Sequence, residues 1–145
     1  MEEMTGPNDK RKEERSDMSE KPAPGTIAWT DLTVSDADEI RDFYARVVGW
    51  VPEPVSMGEY ADYSMTMPGS GESVAGICHA RGVNAGLPPV WMVYLVVENL
   101  DASLADVRQG GGEVLVGPKA MGPGSSYAVI RDPAGAAVAL YEVGG

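Results

Sequence analysis

The chain has one histidine, His79, and one cysteine, Cys78, side by side in the sequence. An imidazole titrates near neutral pH and is the side chain best suited to general acid–base work. Asp31 lies inside a β-rich run, where aspartate is depleted; it is the polar residue best placed to bind a ligand or to pair with His79 across a cavity. Trp29, Tyr94 and Tyr141 also fall in strand-forming segments, where their rings could stack on a flat or cationic molecule. Met92 offers an adaptable apolar surface. Each has a plainer reading: His79 as a solvated strand-end residue, the aromatics and Met92 as space-filling packing, and Cys78 as a small buried hydrophobe. A lone cysteine makes no internal disulfide, and no Cys-x-x-Cys is present. Gly117–Gly124 lacks the spacing of a phosphate-binding loop, and no Gly-x-Ser-x-Gly elbow supports a hydrolase.

The elements that must position these residues can be read from periodicity. Residues 1–25 mix charges of both signs and end in Lys21-Pro22-Ala23-Pro24-Gly25, which predicts a disordered charged tail. The folded domain is expected over residues 26–143. Thr26–Val34 reads as a strand. Asp36 with Glu39 reads as a capping box, and Ile40, Phe43, Tyr44, Val47 and Val48 form one apolar helical face that Gly49 terminates. Strands follow at Val51–Met57, Tyr60–Met67 and Ser73–His79, then a Gly/Pro-rich linker over Arg81–Pro89. The order then repeats: a strand at Val90–Val97, a helix capped by Asn99 or Asp101 and ended by Gly110-Gly111-Gly112, and strands at Glu113–Ala120, Ser126–Arg131 and Ala136–Glu142. Leu32 and Leu95, Val34 and Val97, and Gly49 and Gly112 share an offset of 63. This predicts two βαβββ modules, about 26–80 and 90–143, in an α+β fold.

Leu32-Thr33-Val34-Ser35-Asp36 followed by Phe43-Tyr44 and Gly49-Trp50, the middle segment Val97–Asp101, and the closing Arg131-Asp132-Pro133-Ala134-Gly135 strand entry resemble the vicinal-oxygen-chelate (glyoxalase/bleomycin-resistance/dioxygenase) superfamily. The resemblance covers about residues 26–143. It implies two modules forming curved mixed sheets around a shared cavity. In metal-using relatives it implies ligands on the first and last strands of each module. Here those positions carry Trp29, Ala75 (or Gly76, if the register slips by one), Met92 and Ala139. None of these side chains suits zinc, iron, manganese or nickel, so no metal and no cofactor is expected.

With 145 residues and a formal net charge of −11, the chain is expected to be one acidic domain that repels nucleic acid and anionic membrane. No apolar run is long enough to span a bilayer and no secretory signal is read, which predicts a cytoplasmic protein. The expected function is metal-free binding of a small apolar or aromatic molecule, by Trp29, Asp31, His79, Met92, Tyr94 and Tyr141, in a homodimer. Two alternatives stand beside it: a lyase- or dioxygenase-type enzyme with a non-standard site, and an interaction protein whose cavity is filled.

Overall fold

The computed structural model describes residues 21–144. Residues 1–20, most of the expected tail, lie outside the described residues. Just ahead of the first strand, the Gly25 N–H donates to Val96 O at 2.8 Å, and the Val96 N–H donates to Thr26 O at 2.9 Å.

The first module comprises β1 (Ile27–Val34), α1 (Ala37–Val48), β2 (Val51–Ser56), β3 (Ala61–Thr66) and β4 (Ser73–His79). A linker with one 3-10 turn at Gly82–Asn84 leads to the second: β5 (Trp91–Val96), α2 (Leu100–Gln109), β6 (Glu113–Ala120), β7 (Ser126–Arg131) and β8 (Ala137–Glu142). The strands form one open mixed sheet in the order β2-β3-β4-β1-β5-β8-β7-β6. Within each module the first strand runs parallel to the last, β1 with β4 and β5 with β8. The modules join where β1 meets β5 in antiparallel register. The repeat is now visible in the pairing: Asp31 lies opposite Gly76 in one module, and Tyr94 opposite Ala139 in the other.

Alternation along the strands divides the side chains between two faces. On one face, α1 lays Ala37, Ile40 and Tyr44 over Val34, Met65 and Ile77, while α2 lays Leu100, Leu104 and Val107 over Ala128, Ile130 and Leu140. Among the described residues the opposite face carries neither α-helix. Its core is Met92, Val129 and Ala139, covered in part by Leu87 from the linker.

The helix ends show which local signals were strong enough to act. Gly49 takes φ 88° and its N–H donates to Ala45 O, as a left-handed terminating glycine does. Asn99 caps α2, its side chain accepting from the Ala102 N–H at 2.9 Å, and Glu142 Oε1 accepts from the Leu100 N–H at 2.7 Å. The expected capping box at Asp36 does not form. Its backbone, at φ −105° and ψ 50°, lies outside the extended region of a capping residue, and its side chain makes no cap bond. Asp38 and Glu39 still place negative charge in the first turn of α1, which complements the helix dipole. The apolar stripe of α1 is also only partly used: Phe43 is 48% and Val47 63% exposed, because they stand at the flank of the helix while Ile40 and Tyr44 face the sheet.

Ile77 is fully buried beneath α1, among Ala37, Met65 and Tyr44. Ile77→Ala is expected to lower unfolding stability in urea by about 2–5 kcal/mol, with the midpoint moving and the slope unchanged.

Candidate functional site

The residues with chemical potential gather on the helix-free face at the β1–β5 seam. Trp29 lies opposite Tyr94, and Asp31 opposite Met92. Trp29 and Asp31 are two residues apart on β1, so their side chains rise on the same face. The Trp29 indole Nε1–H donates to Asp31 Oδ1 at 2.6 Å. From the other module the Tyr94 hydroxyl donates to Asp31 Oδ2 at 2.9 Å. Asp31 and Tyr94 are 63 residues apart, the repeat offset itself. Equivalent positions of the two modules therefore hold each other across the seam.

Gly76 lies beside Asp31 on β4. A Cβ there would collide with Asp31 Oδ1 and come to 3.6 Å from Trp29 Nε1. The glycine is what lets the carboxylate and the indole settle against the sheet. This pairing also resolves the register left open above. Gly76, not Ala75, faces the helix-free side; Ala75 is buried on the other. The positions for which the resemblance implies metal ligands then carry, on this one face, Trp29, Gly76, Met92 and Ala139. An indole, no side chain, a thioether and a methyl do not fit a divalent ion. Asp31, the carboxylate among them, already accepts from Trp29 and Tyr94. Among the described residues no group of three or more His, Cys, Asp or Glu could hold a metal.

Burial raises the Asp31 pKa above its ordinary 3.8; the bonds from Tyr94 and Trp29 pull it back, and the charge of Asp62 adds to the rise. Burial, and then the negative charge of Asp31, push the Tyr94 hydroxyl far up, so it stays a protonated donor. The Cys78 thiol is likewise pushed far up, by burial first and then by Asp31 and Asp62. That makes it a poor nucleophile, since the thiolate is the reactive form.

The other expected residues divide. Tyr141 is half-buried and lies opposite Val96 and Tyr127, on the same face as Ala139. Met92 is 4% exposed and packs with Val129, Ala139 and Leu87; it is core of this face rather than a surface for a ligand. His79 is not on this face. The one-residue register change sends it to the helix side with Ile77, a consequence of the period of two. Its Nδ1 lies 3.2 Å from Asp62 Oδ1 and its Nε2 3.6 Å from Asp38 Oδ1 on α1. Asp62 also accepts from the His79 backbone N–H at 2.8 Å. An Asp31–His79 pair does not form. Sequence reading missed Asp62 and Tyr127. Tyr127 stands 6.5 Å from Tyr94, centroid to centroid, and its hydroxyl reaches Asn84 Oδ1 of the linker at 3.4 Å. Alternation along β7 was the signal for it.

Residues 26–140 match the Glyoxalase/Bleomycin resistance protein/Dioxygenase superfamily. The chain is 34% identical over 123 residues to a candidate glyoxylase, CFP32, of Mycobacterium bovis, a match covering 81% of this chain and 46% of that protein. It is 32% identical over 134 residues to the anthracycline biosynthesis protein DnrV of Streptomyces peucetius, covering 84% of this chain and 48% of that one. The chain thus spans about half the length of the curated relatives it matches. Among solved structures, methylmalonyl-CoA epimerase from Mycobacterium tuberculosis superposes with a TM-score of 0.54 at 16% identity, over 91% of this chain and 97% of that one; this likeness is one of fold.

Two outcomes follow from the seam. Gly76→Ala is expected to cost about 1–3 kcal/mol from crowding, and much less in an Asp31→Ala background, as a double-mutant cycle in urea would read. Because the folded state resists ionising Asp31, the wild-type chain's stability relative to Asp31→Asn is highest near and below pH 3.8. It falls as pH rises through the elevated folded value; unfolding of both proteins from about pH 3.5 to 7 checks the sign.

Proposed function

This chain belongs to the Glyoxalase/Bleomycin resistance protein/Dioxygenase superfamily, and we propose that it binds a small aromatic or apolar molecule on its helix-free face without using a metal. The observation that carries this reading is the hydrogen-bonded Trp29–Asp31–Tyr94 cluster, in which Trp29 takes a position where the resemblance implies a metal ligand and Asp31 and Tyr94 lie beside the other such positions. Trp29, Tyr94, Tyr127 and Tyr141 are half-buried, not sealed into the core. They combine ring surface with a few fixed polar groups, the make-up of a small-molecule site.

The linker carries Asn84 and Leu87 to one side of this surface, and bounds where a ligand lies. Two relatives bear the name anthracycline biosynthesis protein, which accords with an aromatic ligand. A cytoplasmic location and pairing of two copies belong to the same proposal. Among the described residues, no helix is long and apolar enough to cross a membrane.

Thermal unfolding against a panel of indoles, phenols and polycyclic quinones tests the reading. A true ligand stabilises by about 2.7 kcal/mol at a free concentration ~100 times its Kd. The shift is expected to persist in EDTA and to vanish in Trp29→Ala. A panel that leaves the midpoint unmoved, or a shift that EDTA removes, would overturn it.

A further inference from the structure

Resting on the binding reading above, we infer that the ligand is an organic cation, an aromatic or apolar molecule carrying a protonated amine that seats on the Asp31 carboxylate. Asp31 is a half-buried anion held at mid-sheet by neutral donors only, the Trp29 indole and the Tyr94 hydroxyl. Among the described residues no Lys, Arg or His nitrogen lies within 4.0 Å of it. A desolvated carboxylate is strongly unfavourable without a positive partner, yet the described residues supply none.

The other groups near it sharpen the same polarity. Thr33 and Cys78 lie opposite each other on the next rung of the β1–β4 ladder, and both are neutral. Asp62, on the helix-free side by its alternation with Tyr63, acts on Asp31 as a second negative charge. On this face Arg131 of β7 is engaged by Glu113 Oε1 at 3.1 Å at the far edge of the sheet, and Lys119 lies opposite Tyr127 on the edge strand β6, two strands beyond β5's neighbour β8. Each Asp31 oxygen accepts one hydrogen bond, and a carboxylate oxygen can accept a second, so an ammonium can bridge the two. The Trp29 and Tyr94 rings beside it offer aromatic surface that attracts a cation further. A net charge of −11 favours the approach of such a ligand.

A three-probe titration tests this on the full chain near neutral pH and at physiological salt: tryptamine, its neutral analogue tryptophol, and anionic indole-3-acetate. Tryptamine is expected to bind about tenfold or more tighter than tryptophol, as a hydrogen bond to a charged group allows, with indole-3-acetate weakest. Asp31→Asn is expected to bring tryptamine and tryptophol within about twofold of each other. Equal binding of tryptamine and tryptophol by the wild-type chain overturns the inference and leaves aromatic binding standing. An undiminished preference in Asp31→Asn removes Asp31 as its source. No binding by any of the three overturns the binding reading and the inference together.

Discussion

The Asp31 carboxylate is the constraint around which the middle of this molecule is arranged. It sits on β1 where the two modules meet, and takes one hydrogen bond from its own strand and one from the neighbouring module. Backbone pairing of β1 with β5 would join the modules by itself. The side-chain clamp adds a charge-assisted bond at the seam, which is stronger and more directional than a neutral one. Gly76 follows from it, since any larger residue would occupy the space the carboxylate needs. Tyr94 follows as well, because burial and the adjacent charge keep its hydroxyl protonated and able to donate.

That arrangement has an energetic cost. Burial disfavours the charged form of Asp31, and the two donors offset the penalty only in part, so the pKa stays raised. Groups that reduce stability in the free protein are often retained where function needs them. A ligand with a positive group would return that energy on binding. The rest of the helix-free face is conventional: Met92, Val129 and Ala139 form a closed apolar core in the second module, and the half-buried aromatics lie toward the seam. The asymmetry has a physical origin. Tyr94 and Asp31 occupy equivalent places, but one is a donor with a large ring and the other a small acceptor.

Much of the architecture was legible in the sequence because local signals agreed with one another. The strands over 73–79, 113–120 and 126–131 emerge with the bounds that alternation and turn residues predict, and Gly49 ends its helix as expected. The capping box at Asp36 was legible but did not form, because the path of the chain from β1 into α1 sets a backbone conformation from which the side chain cannot reach back. The site was half legible. Trp29, Asp31 and Tyr94 meet on one face, as their spacing on β1 and β5 requires. His79 does not, since its assignment rested on starting the β4 alternation at Ala75. One residue of slip exchanges the two faces of a strand, and only the pairing of Asp31 with Gly76 decides it.

By itself the sequence determined the repeated βαβββ order and the limits of β4, β6 and β7, and it put an indole, a thioether and a methyl at positions 29, 92 and 139, because these depend on residue type and short-range period. The tertiary structure alone decided which residues touch: that Asp31 is clamped between Trp29 and Tyr94, that Met92 is core, and that His79 belongs to Asp62 and Asp38. Those contacts join residues tens of positions apart, through strand register and module pairing, and no local periodicity encodes them.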